Sequence, residues 1–210
     1  MDKLHATEEL ILQSAMQVFI EKGRHGARMQ EIADRAGINK ALLHYYYRSK
    51  DNLYATVIEK SLGKNISDVM KILDKNLSVE EIIRSFIRDY IEILRNNPKL
   101  PLFILREIGE GGEIVSSVLN RLVQRKDIVP RKVLDTIQRA IDRGEIVPLD
   151  PRQLIITILG ACLFFFIGEP LLKITLLKEG FTDRDRFIEE RKEAIFNIIA
   201  YGIFPGGDRT

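Results

Sequence analysis

The chain has 210 residues, 45% hydrophobic and 30% charged, with a net charge of +2 at neutral pH. This balance excludes disordered, collagen-like and strongly polybasic classes, and the length suffices for one or two domains with a buried core. Cys162 is the single cysteine, which excludes an intramolecular disulfide and a multi-cysteine zinc site; its apolar surroundings predict a buried, inert thiol.

Helical spacing recurs along nearly the whole chain and strand signals are scarce, so an all-α fold is expected. Residues 1–9 are polar and lack the pattern of a signal peptide, which predicts a cytoplasmic protein. Thr7 is positioned to cap a first helix with Ile11, Ala15, Val18 and Phe19 on one face, and Gly23 to end it. A short helix from Met29 to Ala36 follows, broken at Gly37. Asn39 can cap a second short helix to Tyr46, and Ser49 a fourth that runs to about Ser61, short of Gly63.

Beyond Gly63 the helices lengthen. The pattern predicts helices over 79–95, 102–108, 113–126 and 130–143, with Gly109 to Gly112 as a connector. Pro151 opens a long apolar helix with a kink near Gly168 and Pro170. Its apolar stretch, Leu154 to Ile167, is shorter than the roughly 20 residues needed to cross a bilayer, so no membrane partner is expected. A last helix covers 183–201, and the tail from Pro205 is expected to fray. The change in composition predicts two domains, 4–63 and 64–204.

Residues 29–48 carry the functional pattern. Ala33 is small where two helices must cross closely, Gly37 supplies the turn, and Ile32, Ile38 and Leu43 lock the pair from inside. Asn39, Lys40, Ala41, Leu42, His44 and Tyr45 are left on the other side of the second helix, which fits the major groove of B-form DNA. Between Lys22 and Lys50 stand seven basic residues against Glu31 and Asp34 alone, a local excess suited to phosphates. The hydroxyls of Tyr45 and Tyr46 can reach phosphates too.

The string from Ala36 to Leu53, AGINKALLHYYYRSKDNL, resembles the signature of the TetR family of bacterial repressors, and the resemblance covers about residues 5–60. It implies an N-terminal three-helix helix-turn-helix domain linked by a fourth helix to a larger helical body. DNA contacts are then expected from Arg28, Met29 and Gln30 at the start of one helix. The recognition helix would add Asn39, Lys40, Ala41, Leu42, His44, Tyr45 and Tyr46, Lys50 would hold a phosphate, and Tyr47 would be a buried aromatic of the core. The last two long helices would pair with their copies in a homodimer, with Phe166, Ile195, Phe196 and Ile199 at the interface. The middle helices would enclose a small-molecule effector pocket lined by Phe86, Tyr90, Phe103, Arg106, Glu107, Phe164 and Phe165. The chain departs from the family pattern at Arg28 and Met29, where Thr or Ser is usual, at Leu42 for a common Thr, and at His44 for a common Tyr.

The expected function is that of a ligand-responsive transcriptional regulator, a repressor that binds a near-palindromic double-stranded operator as a dimer and is released by its effector. Two rivals remain: a helical ligand-binding protein whose helix-turn-helix no longer binds DNA, and a small helical enzyme. Against the enzyme, His5, His25 and His44 lack metal-ligand spacing, and there is no nucleophile elbow or phosphate loop. No catalytic residue, metal or cofactor is expected.

Overall fold

The computed structural model describes residues 2–70, 77–125, 130–177 and 183–205, which form ten helices. Among the described residues there is no strand. The chain divides into two compact units, one of Met1–Lys64 with Leu102–Lys126 and one of Asn65–Pro101 with Asp127–Thr210. Residues 102–126, which the sequence reading put in the body, are thus part of the same unit as the helix-turn-helix. The tail after Pro205, and Lys126 at the end of one expected helix, lie outside the described residues.

The first unit begins with α1 (Asp2–Gly26). Thr7 lies inside this helix rather than capping it, because the helix already starts at Asp2. Gly23 breaks the helical geometry as expected, with φ 69° and ψ 174°, and one further turn leads to α2 (Met29–Arg35). α2 ends in a Schellman motif: Ile38 N–H donates to the Ala33 carbonyl at 3.0 Å and Gly37 N–H to that of Asp34 at 3.1 Å. Gly37 has φ 65°, in the left-handed region that a side chain disfavours. α3 (Lys40–Tyr46) is capped by Asn39, whose Oδ1 accepts from Leu42 N–H at 2.7 Å. α4 (Lys50–Met70) is capped by Ser49, whose Oγ accepts from Asn52 N–H at 3.1 Å.

Gly63 does not end α4. A mid-helix glycine costs only about 1 kcal/mol relative to alanine, and Leu122 packs where a Cβ at Gly63 would point. The boundary expected near residue 63 therefore falls within a continuous helix. Ile11, Val18, Phe19, Ile32, Ala33, Leu43, Leu53 and Ile58 are buried and form the unit's centre. α6 (Leu100–Gly109) and α7 (Glu113–Gln124) complete it. The turn between them uses Gly111 (φ 112°) and Gly112 (φ 68°), where the sequence reading placed a connector.

The second unit is built on α5 (Val79–Asn96), α8 (Pro130–Asp142), α9 (Pro151–Thr175) and α10 (Arg184–Ile203). α5 opens with a capping box in which Ser78 and Glu81 each accept from the other's backbone N–H, at 3.2 and 2.8 Å. Its buried Ile83, Ile87, Ile91 and Leu94 recur at helical spacing and pack with Leu154, Ile158, Cys162 and Phe165 of α9 and Ile188 and Ile195 of α10. Pro151 takes the first helical position of α9 behind the Asp150 cap. The helix runs on through Pro170 to Thr175, 25 residues in all, around the uncharged apolar stretch of 14 residues from Leu154 to Ile167. By length and composition it alone among the described helices is long and apolar enough to cross a membrane; a core helix passes the same test, and one face of α9, with Leu154, Ile158, Cys162, Phe165 and Phe166, is buried in the core of this unit. Burial pushes the Cys162 thiol up to about 12, which keeps it protonated and unreactive.

Nothing lies within 4 Å of a Cβ built on Gly37, so replacing it tests backbone conformation alone. Gly37→Ala is expected to destabilise the first unit by about 1–2 kcal/mol, read as a lowered midpoint in urea denaturation.

Candidate nucleic-acid interface

The sequence places small and apolar residues on the inner side of α2 and α3, so the polar ones face outward. Ile32, Ala33 and Leu43 are fully buried, and Ile38 is half-buried between them. On the outward side of α3, Lys40, Ala41, His44 and Tyr45 are exposed, while Leu42 and Tyr46 are half-buried. Tyr45 stands out most, at 79% exposed, with its ring edge-on to Tyr46 at 5.8 Å between centroids. A bulky aromatic held so far from the core is free to meet a partner. Asn39 contributes chiefly as the cap: its side-chain oxygen is committed to Leu42, and only its amide nitrogen remains available.

At the start of α2, Arg28 occupies the capping position in an extended conformation without a capping side-chain bond, and its side chain is exposed. Met29 is half-buried, and Gln30 donates to Asp34 Oδ1 at 2.7 Å. Tyr47 is buried as expected, its hydroxyl donating to Glu8 Oε1 at 3.4 Å.

The charge distribution is more selective than the sequence count implied. Arg35 is held by Glu21, which lies just outside the counted stretch, through two hydrogen bonds of 2.8 and 2.9 Å. Lys22 pairs with Glu31 at 2.7 Å, and Arg24 approaches Asp51 at 3.8 Å. Among the described residues, Arg28, Lys40 and Arg48 have no carboxylate in ion-pair contact. Arg48, exposed beside the cap of α4, was not singled out in the sequence; its charge was the only signal there. Lys50 donates to the backbone carbonyls of His25 and Ala27, each at 3.2 Å.

The residues expected around an effector fall in both units. Phe86 and Tyr90 pack against the core of the second unit, their rings 5.8 Å apart, and Phe165 is buried within that core. Phe164 is instead 59% exposed on α9, because consecutive residues on a helix point to different sides. Phe103, Arg106 and Glu107 belong to the first unit. There Phe103 packs edge-on against Tyr54 at 5.2 Å, and Arg106 lies over Gly23, its Cζ 2.6 Å from where a Cβ would be. Glu107 is 2% exposed and accepts from Ile114 N–H at 3.3 Å, which caps α7 where Gly112 has no side chain to do so.

The expected dimer residues Phe166, Ile195, Phe196 and Ile199 are buried in the core of their own unit. The apolar residues that α9 and α10 leave in the open are Ile156, Phe164, Leu171, Ile174, Ile198 and Tyr201. α10 is apolar on two sides, and spacing alone does not tell the core side from the outer one. Among the described residues, no three of His, Cys, Asp and Glu gather as a metal set.

A Schellman turn between two short crossed helices, with an exposed basic and aromatic face on the second, defines a helix-turn-helix DNA reader. The comparisons agree. Residues 11–57 match the model of bacterial regulatory proteins of the tetR family, and residues 60–205 match that of the YcdC-like protein C-terminal region. The chain belongs to the TetR family of transcriptional regulators. It is 27% identical over 205 residues to the regulator RutR of Escherichia coli K12, covering 95% of this chain and 92% of that one. It is also 27% identical over 197 residues to the repressor SCO4008 of Streptomyces coelicolor, covering 92% and 95%. Among solved structures, AibR in complex with isovaleryl coenzyme A and operator DNA has a TM-score of 0.68 at 21% identity, covering 91% of this chain and 97% of that one. A TetR transcription regulator from Haloarcula marismortui has a TM-score of 0.65 at 19% identity, covering 95% and 99%.

Glu8 anchors the underside of the reader. Its carboxyl is held below the ordinary carboxylate value, chiefly by the hydrogen bond from Lys60 at 3.0 Å and further by Tyr47. A depressed folded value means that this stabilisation is complete above the unfolded value and is lost as pH falls through the folded one. Glu8→Gln is therefore expected to reduce the loss of stability between about pH 5 and pH 3, measured by urea denaturation at each pH.

Proposed function

We propose that this regulator is a homodimeric repressor that binds a near-palindromic operator and is released by a small-molecule effector. The observation that carries the reading is the outward face of α3 with Arg28 beside it: exposed Lys40, His44 and Tyr45, and cations without carboxylate partners. Such a face supplies both phosphate neutralisation and groups able to reach base edges. Lys40, Ala41, Leu42, His44 and Tyr45 are assigned to the major groove. Arg28, Met29, Gln30, Asn39, Tyr46 and Lys50 flank it. Leu42 suits a thymine methyl.

The exposed apolar residues Ile156 and Phe164 of α9 and Ile198 and Tyr201 of α10 support pairing with a second copy. Two copies related by a two-fold axis read two half-sites, so operator symmetry follows from protein symmetry. The effector is assigned to the second unit, where Phe86 and Tyr90 offer an aromatic lining between α5 and the core. That AibR is known with a coenzyme A thioester and operator DNA supports an effector-controlled mode of action for this chain. Effector and operator would weaken each other's binding by the same factor, as linkage requires. Such a regulator works in the cytoplasm, where its DNA is.

Selection from random duplexes with the purified protein, followed by footprinting, tests the operator; a near-palindrome is expected, and absence of any enriched site counts against the reading. Lys40→Ala and Tyr45→Ala are each expected to weaken binding to the selected site about tenfold, in keeping with 1–3 kcal/mol for a base contact, with an unchanged melting temperature. Equal affinity in both variants would remove α3 from the interface. Ile198→Glu, at a position 76% exposed in the single chain, is expected to leave the helical content intact and convert the dimer to a monomer in analytical ultracentrifugation.

A further inference from the structure

We propose that Lys50 is a positioning residue: its ammonium ties down the joint between α1 and α2 and thereby sets the place of Arg28 and the first turn of α2. The family resemblance gave Lys50 only the task of holding a phosphate. The inference deepens the operator reading above and rests on it for the assignment of Arg28 to the DNA face.

Lys50 is the first helical residue of α4. The positive end of the helix dipole opposes a cation there, so the side chain gains its stabilisation elsewhere. It turns to the carbonyls of His25 and Ala27, at 3.2 Å each. These carbonyls lie at the end of α1, beyond the break at Gly23. No backbone N–H among the described residues reaches either of them. The last carbonyls of a helix lack partners within it and carry its partial negative charge, and a cation is the favoured partner. Ala27 is buried, which makes an unpaired carbonyl there costly.

The next residue shows why the tie matters. Arg28 opens α2 without a side-chain cap, so the start of that helix lacks the usual anchor of its own. Its first turn inherits its position from the joint behind it, through Ala27 N–H on the Gly23 carbonyl and Ile32 N–H on that of Arg28, both 3.2 Å. Lys50 uses two of the three donors of its ammonium, which leaves one for a phosphate. Positioning and contact are therefore compatible, and they separate in the absence of DNA, because a phosphate contact cannot affect the free protein.

The test is amide hydrogen exchange of full-length Lys50→Met without DNA. Exchange at Ala27 and Ile32 is expected to quicken about tenfold, the scale of a lost charge-assisted hydrogen bond, while the amides of Ile83 to Ile91 in α5 keep their rates and report an intact fold. Unchanged exchange at Ala27 and Ile32, with the salt slope of DNA binding reduced by about one, would make Lys50 a phosphate contact only and overturn the proposal. Arg48→Ala removes a neighbouring exposed cation that has no such bonds, and wild-type exchange is expected there. Equal quickening in that variant would trace the effect to lost charge rather than to the tie, and would also overturn it. Exchange is read without DNA, so its outcome does not depend on whether the operator reading holds.

Discussion

The DNA-binding unit depends on the burial of one ring. Tyr54 meets Phe19 of α1 at 4.7 Å and Phe103 of α6 at 5.2 Å, edge-on to the first and steeply inclined to the second. Aromatic edges on faces are directional contacts, so three helices are fixed in angle as well as in distance. Burial drives the phenol's acidity down, with the nearby Glu107 carboxylate acting in the same direction. Glu107 itself is enclosed, one oxygen capping α7 and its carboxylate lying beside the Tyr54 ring's hydroxyl.

From that fixed frame the reading face follows by exclusion. α2 and α3 are only seven residues each, too short to be stable alone. They persist because Ile32, Ala33 and Leu43 are locked into the frame and because Gly37 and Asn39 satisfy the backbone at the turn. Every apolar group needed for folding points inward, which leaves the outer side of α3 free to be chosen for recognition. Chemistry on that side can vary among relatives without disturbing the fold, as His44 and Leu42 illustrate here.

The sequence was most legible where one residue type has one physical use. Gly37 in a left-handed turn, the caps Asn39 and Ser49, and Pro151 at a helix start were all placed correctly for this reason. It was least legible where a residue has several uses. Thr7 caps well but also sits in helices, and Gly63 breaks weakly enough for Leu122 to compensate. On α10, Ile195 and Ile198 carry identical side chains, yet one is in the core and the other in the open. Only the position of α5 and α9 decides between them, and a one-dimensional pattern does not contain it. The expected effector residues divide between the two units for a related cause. α6 follows α5 in the chain, but Phe103, Arg106 and Glu107 belong to the unit that holds the helix-turn-helix.

The long apolar α9 has a consequence for the birth of the protein. Its 25 residues leave the ribosome after α5, α6 and α7 but before α10. At that moment the surfaces that α10 will cover are bare, and an apolar helix of this length resembles cargo for membrane insertion or a seed for aggregation. Completion of the last twenty-residue helix, α10, is thus the event that closes the core around the buried face of α9. The order of helices is a schedule as well as an architecture.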